Sequence, residues 1–433
     1  MSSEPETHVL IIGGGITGLT LAQALRKRNQ ENPNLKPVTF SVFERDPDPY
    51  ARGSGWGLTM HWALEQFLQL LPEDTKAKLP NAWVDKDSLE AGISGSFKLF
   101  NLETGNTDYF TPLGASPRNR FAREKLREAL MHELDIQLTS DESQWTKNLS
   151  GIEYPGPNEV VAIFDDGTTA KGNILIGCDG SRSNVRRVLC PDNYQNNVVP
   201  NRLTGVNVPF PAEKAAKLQA LDPYFFQCCD PATGSFMFFG FLKVPTRKEQ
   251  EAAGNSLPVV SQCLVSWPFR PGFLDNADPV EIARDHKDRI KWMKNVSKGW
   301  IEPFREIVQS IPDDAEVKIV NLEDWPPVKG AWNNADGRVT LIGDAAHAMT
   351  MYRGEAANHG VADVTEFLQQ FLPEKHTNGV PSLKERVDAY ESGMIARANP
   401  AVLRSRKACM DAHDYTKVGP NSPLVAMRII AED

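Results

Sequence analysis

Three glycines and three carboxylates carry the chemistry that this sequence offers. Gly13, Gly15 and Gly18 stand in the order G-x-G-x-x-G. That spacing holds a pyrophosphate: the first glycine closes a tight turn, the second lets backbone approach the phosphates, and the third brings a helix close to a strand. Glu44, followed by Arg45, ends a second apolar run, and a carboxylate at such a strand end accepts hydrogen bonds from an adenosine ribose. The alternative for Glu44 is a surface acid after an ordinary strand. Asp179, in Gly177-Cys178-Asp179-Gly180, and Asp344, in Gly343-Asp344-Ala345-Ala346-His347, each close a further short apolar run. Asp179 serves either a ligand or the cap of the helix that follows, and Arg123 is either solvated charge or a phosphate contact.

The elements that must position these residues follow from the pattern around them. Val9 to Ile12 is a continuous apolar run and predicts a strand buried on both faces. A helix follows, with Ile16, Leu19, Ala22 and Leu25 toward the sheet and Arg26 to Arg28 at the negative end of its dipole. The free N–H groups at its start suit a phosphate. Val38 to Phe43 predicts the next strand, and the loop Gln30 to Pro37 accounts for a gap between Gly18 and Glu44 longer than the usual ~20 residues. Around Trp56, Arg52 to Gly57 is glycine-rich and reads as a tight loop or as backbone close to something flat. His61 to Leu71 predicts a helix stopped by Pro72, and Ile93 to Phe110 a first antiparallel excursion. A strand at Ile174 to Ile176 precedes a helix that Ser183 can cap. Between residues 200 and 330 aromatics cluster in strand-like runs, Ser235 to Leu242 and Gln262 to Trp267 among them, then helices at Pro279 to Asn295 and Ile301 to Ser310, and a strand over 315–325. These aromatics are sheet core, and as a sheet they also suit the wall of an apolar pocket.

Composition narrows the function classes. The 433 residues are 41% apolar and 24% charged, ordinary for a globular protein, and the net charge of -9 argues against nucleic acid and anionic membranes as partners. The six cysteines show no CxxC spacing, so neither a zinc site nor a disulfide framework is expected. His347 and His359 lack partners at ligand spacing, so no metal is expected either. The polar, acidic start is unlike a secretory signal, and no apolar run reaches the ~18 residues of a membrane span. The expected location is cytoplasmic.

Taken in order, the glycine motif with Glu44, Arg123 ahead of Leu126, Gly177-Cys178-Asp179-Gly180, and Gly343-Asp344-Ala345-Ala346-His347 resemble the class A FAD-dependent monooxygenases of the aromatic-hydroxylase type. The resemblance is to their fungal secondary-metabolism branch in particular, where Arg52 to Gly57 and the closing Ala401 to Arg406 with Ala412-His413 are also familiar. It implies that Gly13, Gly15 and Gly18 hold the FAD pyrophosphate, Glu44 with Arg45 the adenosine ribose end, and Arg123 the phosphate region. It further implies Asp344 on the pyrophosphate and ribityl side, Asp179 in a motif serving FAD and NAD(P)H, Gly57 beside Trp56 at the flavin, and Gly354, Ala357 and Asn358 near the isoalloxazine. Three positions depart from the family's usual sequence: Ala348 and Met351 stand where prolines are common, and Ala356 replaces the second glycine of a flavin-facing G-x-G. These departures bear on oxygen activation more than on flavin binding.

The expected fold class is α/β: a Rossmann-like FAD-binding domain with an inserted β-sheet substrate domain and C-terminal helices. Its pieces are 1–90, 119–199 and 326–433 for FAD, with 91–118 as a substrate-domain excursion and 200–325 as the substrate domain itself. The resemblance implies a monooxygenase that takes electrons from NAD(P)H and hydroxylates or epoxidises a bulky hydrophobic or aromatic small molecule with O2, through a flavin C4a-hydroperoxide. The alternative is an FAD-bound enzyme of the same fold catalysing a non-redox cyclisation or rearrangement. No general base is assigned; Arg202 and Tyr224 are the positions to inspect.

Overall fold

The computed structural model describes residues 7–51, 53, 55–110, 118–134, 144–377 and 379–427. Its first sheet is parallel and four-stranded, in the order Val339–Leu341, Ile174–Gly177, His8–Ile12, Thr39–Phe43. Ile12 stands opposite both Gly177 and Phe43. That register delivers Gly13, Glu44, Asp179 and Asp344 to one edge of the sheet, outside the carboxyl ends of the strands, where α/β sheets take their ligands. Val9, Leu10 and Ile11 are fully buried, since the helix Ile16–Glu31, which begins immediately beyond the glycine turn, and a three-stranded sheet of Leu149–Gly156, Glu159–Phe164 and Thr169–Gly172 pack on the parallel sheet.

A second, seven-stranded sheet runs in the order Lys318–Val320, Asn201–Phe210, Val259–Pro268, Phe236–Lys243, Phe225–Cys229, Lys98–Asn101, Thr107–Tyr109. Its pairings are antiparallel except that Phe225–Cys229 and Lys98–Asn101 are parallel. One face packs Phe226, Phe239 and Phe241 against the helices Ala212–Gln219, His286–Val296 and Phe304–Gln309. The other face turns Phe225, Gln227, Phe238 and Gln262 toward the first sheet and its loops, as the alternation of strand side chains requires. A two-stranded ribbon, Gly57–Met60 against Asn119–Ala122, lies between the two sheets. The helix Leu383–Ala412 runs for 30 residues.

Several elements are shorter than the sequence predicts, for identifiable reasons. The helix expected over His61 to Leu71 is Leu64–Leu70, preceded by a turn in which Leu64 N–H donates to the His61 carbonyl and Asn358 Oδ1 accepts the N–H groups of His61 and Ala63 at 2.9 and 3.4 Å. The helix expected from Pro279 starts at His286, where Asp285 caps it through the N–H of Asp288 at 2.9 Å. Upstream, the carbonyl of Val280 accepts from Trp267 Nε1 at 3.0 Å, so that stretch is spent tethering the sheet. Pro303 delays the next helix to Phe304. The strand expected over 315–325 is two short ones, Lys318–Val320 and Glu323–Asp324, which join different sheets.

Candidate active site

At the edge of the parallel sheet the chain leaves Ile12 and turns on Gly13, whose φ is +115°. A Cβ there would stand 2.3 Å from the carbonyl oxygen of Cys178, so the glycine is fixed by the neighbouring strand. Gly18 serves helix packing, since a Cβ on it would reach 2.0 Å from the carbonyl of Gly13. Gly15 differs from both: nothing lies within 4 Å of the place its Cβ would occupy. It is the N-cap of the helix Ile16–Glu31 and supplies no side-chain cap, so the first-turn N–H groups face the open space beside it.

That space consists of two cavities sharing Gly15, Arg123, Cys178 and Gly180. The first is lined by Gly13, Glu44, Arg45, Asp179 and Asn184. Glu44 is buried, accepts the N–H of Gly14 at 3.0 Å and that of Asp46 at 3.0 Å, and pairs with Arg127 at 3.1 Å. Arg127 also donates to the carbonyls of Gly14 and Pro49, which makes it the clamp of the glycine turn. Arg45 reaches the carbonyl of Arg182 at 3.3 Å. Asp179 accepts the N–H groups of Asn184 and Val185 at 2.6 and 3.2 Å and the Ser183 hydroxyl, so it caps a helix while its edge lines the cavity. Burial raises its carboxyl above the ordinary range against those hydrogen bonds.

The second cavity has a volume of about 400 Å³ and continues from Gly15 past Asp344 to the seven-stranded sheet. Its near wall is Trp56, Gly57 and the loop Met349–Ala357, with Gly354 at φ +65° and Ala357 on the first turn of a helix. Its far wall is Phe97, Phe225, Phe238, Leu264 and Val320, with Arg120, Gln227 and Gln262 among them. Burial raises the Asp344 carboxyl above its ordinary range, a shift that His347 and Arg123 oppose without cancelling. Behind Asp344, Asp363 accepts the N–H of Gly343 at 2.7 Å, His347 Nε2 at 2.6 Å and Arg397 Nη2 at 2.5 Å. Burial pushes the Asp363 carboxyl up, but His347 and Arg397 together hold it well below the usual carboxylate range. Arg186 ties this loop to the Asp179 strand end through the carbonyl of Ala345 at 3.1 Å.

Loop Met349–Ala357 is also pinned from below. His413 Nδ1 lies 2.7 Å from the carbonyl of Cys409, which can only accept, so this nitrogen carries the proton and Nε2 accepts from Ser266 Oγ at 2.8 Å. Ser266 Oγ then accepts from the Tyr352 hydroxyl at 2.8 Å. Burial lowers the His413 ring to about 4. The three side chains join the far sheet, the cavity loop and the end of the long helix.

Of the positions singled out in the sequence, Gly13, Gly15, Glu44, Arg45, Gly57, Arg123, Asp179, Asp344, Gly354 and Ala357 line these two cavities. Gly18 and Asn358 do not. Asn358 is fully buried and bridges the N–H of His61 and the carbonyl of Thr59, tying the helix start to the ribbon. Arg202 pairs with Glu281 above Phe269, and the Tyr224 hydroxyl donates to the carbonyl of Ile93; neither lines the cavities. Arg52 and Ser54 lie outside the described residues. Sequence reading missed Arg120 and Arg127; Arg120 stands in the polar run Arg118-Asn119-Arg120, which carries no local sign of a buried charge.

The residues present fit FAD. An open glycine-and-helix cradle suits a pyrophosphate, Glu44 and Asp344 offer acceptors to sugar and ribityl hydroxyls, and the two cavities meet at Gly15 and Arg123. No family model matches the chain. A protein of Arthroderma benhamiae named probable FAD-dependent monooxygenase is 45% identical over 443 aligned residues, covering 100% of this chain and 98% of its own. The chain belongs to the FAD-dependent monooxygenases. A second member, FAD-dependent monooxygenase tazP of Aspergillus terreus, is 35% identical over 85% of this chain and 90% of its own. Among solved structures, 2,6-dihydroxypyridine-3-hydroxylase from Arthrobacter nicotinovorans has the same fold, with a TM-score of 0.71 over 100% of this chain and 99% of its own at 19% identity. FAD is therefore the cofactor, and the resemblance read from the motifs holds. Among the described residues no helix is long and apolar enough to cross a membrane, and no group of three His, Cys, Asp or Glu is placed to hold a metal.

Proposed function

We propose that this monooxygenase uses NAD(P)H and O2 to hydroxylate or epoxidise a bulky aromatic or hydrophobic small molecule in secondary-metabolite biosynthesis. The observation that carries the reading is the continuity of the second cavity from the glycine cradle to an aromatic wall built by Phe97, Phe225 and Phe238. Bound there, the flavin would supply two-electron chemistry with the reductant and activation of O2 at its C4a position. This chain's residues do the rest. The N–H groups at the start of Ile16–Glu31, with Arg123, would hold the pyrophosphate; Glu44 and Asp344 would accept from hydroxyls. Trp56, Gly57 and the loop Gly354–Ala357 would flank the ring system, and the phenylalanines with Leu264 and Val320 would orient the substrate and keep water out. The substrate region would comprise 91–118 and 200–325, a division supported by the entry of Lys98–Asn101 and Thr107–Tyr109 into the sheet of the later strands.

The test is the visible spectrum of the purified protein, followed anaerobically with NADPH and then with air and an aromatic substrate panel. Bleaching by NADPH and substrate-dependent O2 uptake are the expected results. A flavin that no reductant bleaches, with turnover of a substrate but no O2 uptake, would transfer the assignment to non-redox cyclisation or rearrangement; Met351 and Ala356, the departures that motivate it, both line the cavity.

A further inference from the structure

Arg120 lies on the ribbon strand Asn119–Ala122, opposite Thr59, with 4% of its surface exposed, and it lines the aromatic end of the second cavity. Its Nε donates to the carbonyl of Phe241 at 2.9 Å, Nη1 to Thr59 Oγ1 at 3.3 Å and Nη2 to Gln262 Oε1 at 3.5 Å. All three acceptors are neutral. The guanidinium carbon stands 5.4 and 5.5 Å from the ring centres of Phe225 and Phe238, aromatic faces that favour a cation without cancelling it. The acid whose field reaches it, Asp222, is committed elsewhere: it accepts from Ser96 N at 2.8 Å, Tyr224 N at 3.0 Å and Phe225 N at 3.2 Å.

Other charges along the cavity have opposites at hand. Arg353 pairs with Glu355 at 2.5 Å, and Arg123 acts on Asp344 at the glycine end. Arg120 shares Asp222 with a second buried cation, Arg118, which is 6% exposed and stacked 4.6 Å over the cavity-lining Phe97. Among the described residues Arg118 Nε, Nη1 and Nη2 have no hydrogen-bond partner. The aromatic end of the cavity thus holds more buried positive charge than the described residues neutralise. Burying a guanidinium without a counter-ion is strongly unfavourable unless a ligand supplies one. Burial lowers Arg120 to about 10, which leaves it charged at neutral pH.

We propose that Arg120 determines substrate specificity by receiving an anionic oxygen, carboxylate or ionised phenol, of an aromatic substrate. This rests on the monooxygenase reading above. The pyrophosphate of FAD belongs to the glycine end, where Gly15 and Arg123 stand, so the anion at Arg120 comes from the substrate.

Titration calorimetry on the FAD-loaded protein at pH 7.5 tests it with two matched pairs: 2-naphthoate against 2-naphthamide, and 4-nitro-1-naphthol, ionised at that pH, against its methyl ether. The wild type is expected to bind at least one acid about tenfold or more tighter than its neutral partner, the scale of a charge-assisted hydrogen bond, and the pair that shows it tells carboxylate from phenolate. Arg120→Gln should bind both members of that pair alike, and Arg120→Lys should recover part of the preference. Both variants should keep wild-type FAD content and should still be bleached by NADPH. The proposal is overturned if the wild type shows no preference for either acid, if the preference survives in Arg120→Gln, or if that variant loses FAD or its response to NADPH instead. Because flavin content and bleaching are read separately from acid binding, failure of the monooxygenase reading is distinguishable from failure at Arg120.

Discussion

Gly15 and Gly18 belong to one motif and answer to different constraints. A methyl group on Gly18 collides with the Gly13 carbonyl at 2.0 Å and crowds Cys178 Cβ at 3.2 Å. Alanine would gain about 1 kcal/mol of helix propensity there, but backbone cannot yield as a flexible side chain does, and Gly18→Ala should destabilise the fold by about 1–3 kcal/mol net. A methyl group on Gly15 meets no protein atom, and its φ of −81° and ψ of −176° suit any residue. Gly15→Ala should therefore leave the melting temperature of the apoprotein unchanged while weakening FAD binding by about tenfold, the equivalent of ~1.4 kcal/mol of crowding against the phosphates. Apoprotein melting and a flavin-fluorescence titration separate the two effects. A destabilised Gly15→Ala apoprotein that binds FAD normally would remove Gly15 from the cofactor site.

The elements around the cavity are joined by buried polar links, and these set a pH dependence. His413, at the end of Leu383–Ala412, holds Ser266 on the far sheet and, through it, Tyr352 of the cavity loop. Its ring is lowered from 6.5 to about 4 because burial disfavours the charged form. The unfolded chain takes up a proton below pH 6.5 that the native ring refuses until about pH 4. The native advantage is thus whole above pH 6.5 and falls as the pH drops toward 4, by about 3 kcal/mol at 1.36 kcal/mol per unit. His413→Gln should flatten the decline of stability over that window, with lower stability at pH 8 from the loss of the link, measured by denaturant unfolding at several pH values. A decline of unchanged steepness would show that other groups govern it. Links of this kind also mark where sequence reading stops. The strand, turn and helix around Gly13 are contiguous, so their geometry is legible from local pattern. Arg120 acquires its place from the pairing of Thr59 with a strand far along the chain. Asn358 looks like a residue of the flavin-facing helix start, yet the phase of that helix turns its amide to His61 and Thr59.

At the scale of the whole molecule the site belongs to no single element. Gly13, Gly15, Ile16 and Thr17 come from the parallel sheet and its first helix, Gly57, Leu58 and Thr59 from the ribbon, residues 349–357 from the loop before a late helix, and Phe225, Phe238 and Gln262 from the seven-stranded sheet. The cavity that joins them is shared space, so FAD in the cradle would contact segments that the chain also ties to one another, through Asn358 and the Tyr352–Ser266–His413 link among others. A ligand that binds only the native state stabilises it by about 4 kcal/mol at a thousandfold excess over its dissociation constant. Stripping FAD should therefore lower the melting temperature by several degrees, and the loss should be distributed according to contact. Hydrogen exchange of apoprotein against holoprotein should show protection lost together at residues 13–19, 57–60 and 349–357, because one ligand orders all three. The helices His286–Val296 and Phe304–Gln309, which pack on the opposite face of the far sheet, should exchange alike in both forms. Loss confined to residues 13–19 would mean that the second cavity does not receive the flavin end of the cofactor, and the aromatic wall would then need another occupant.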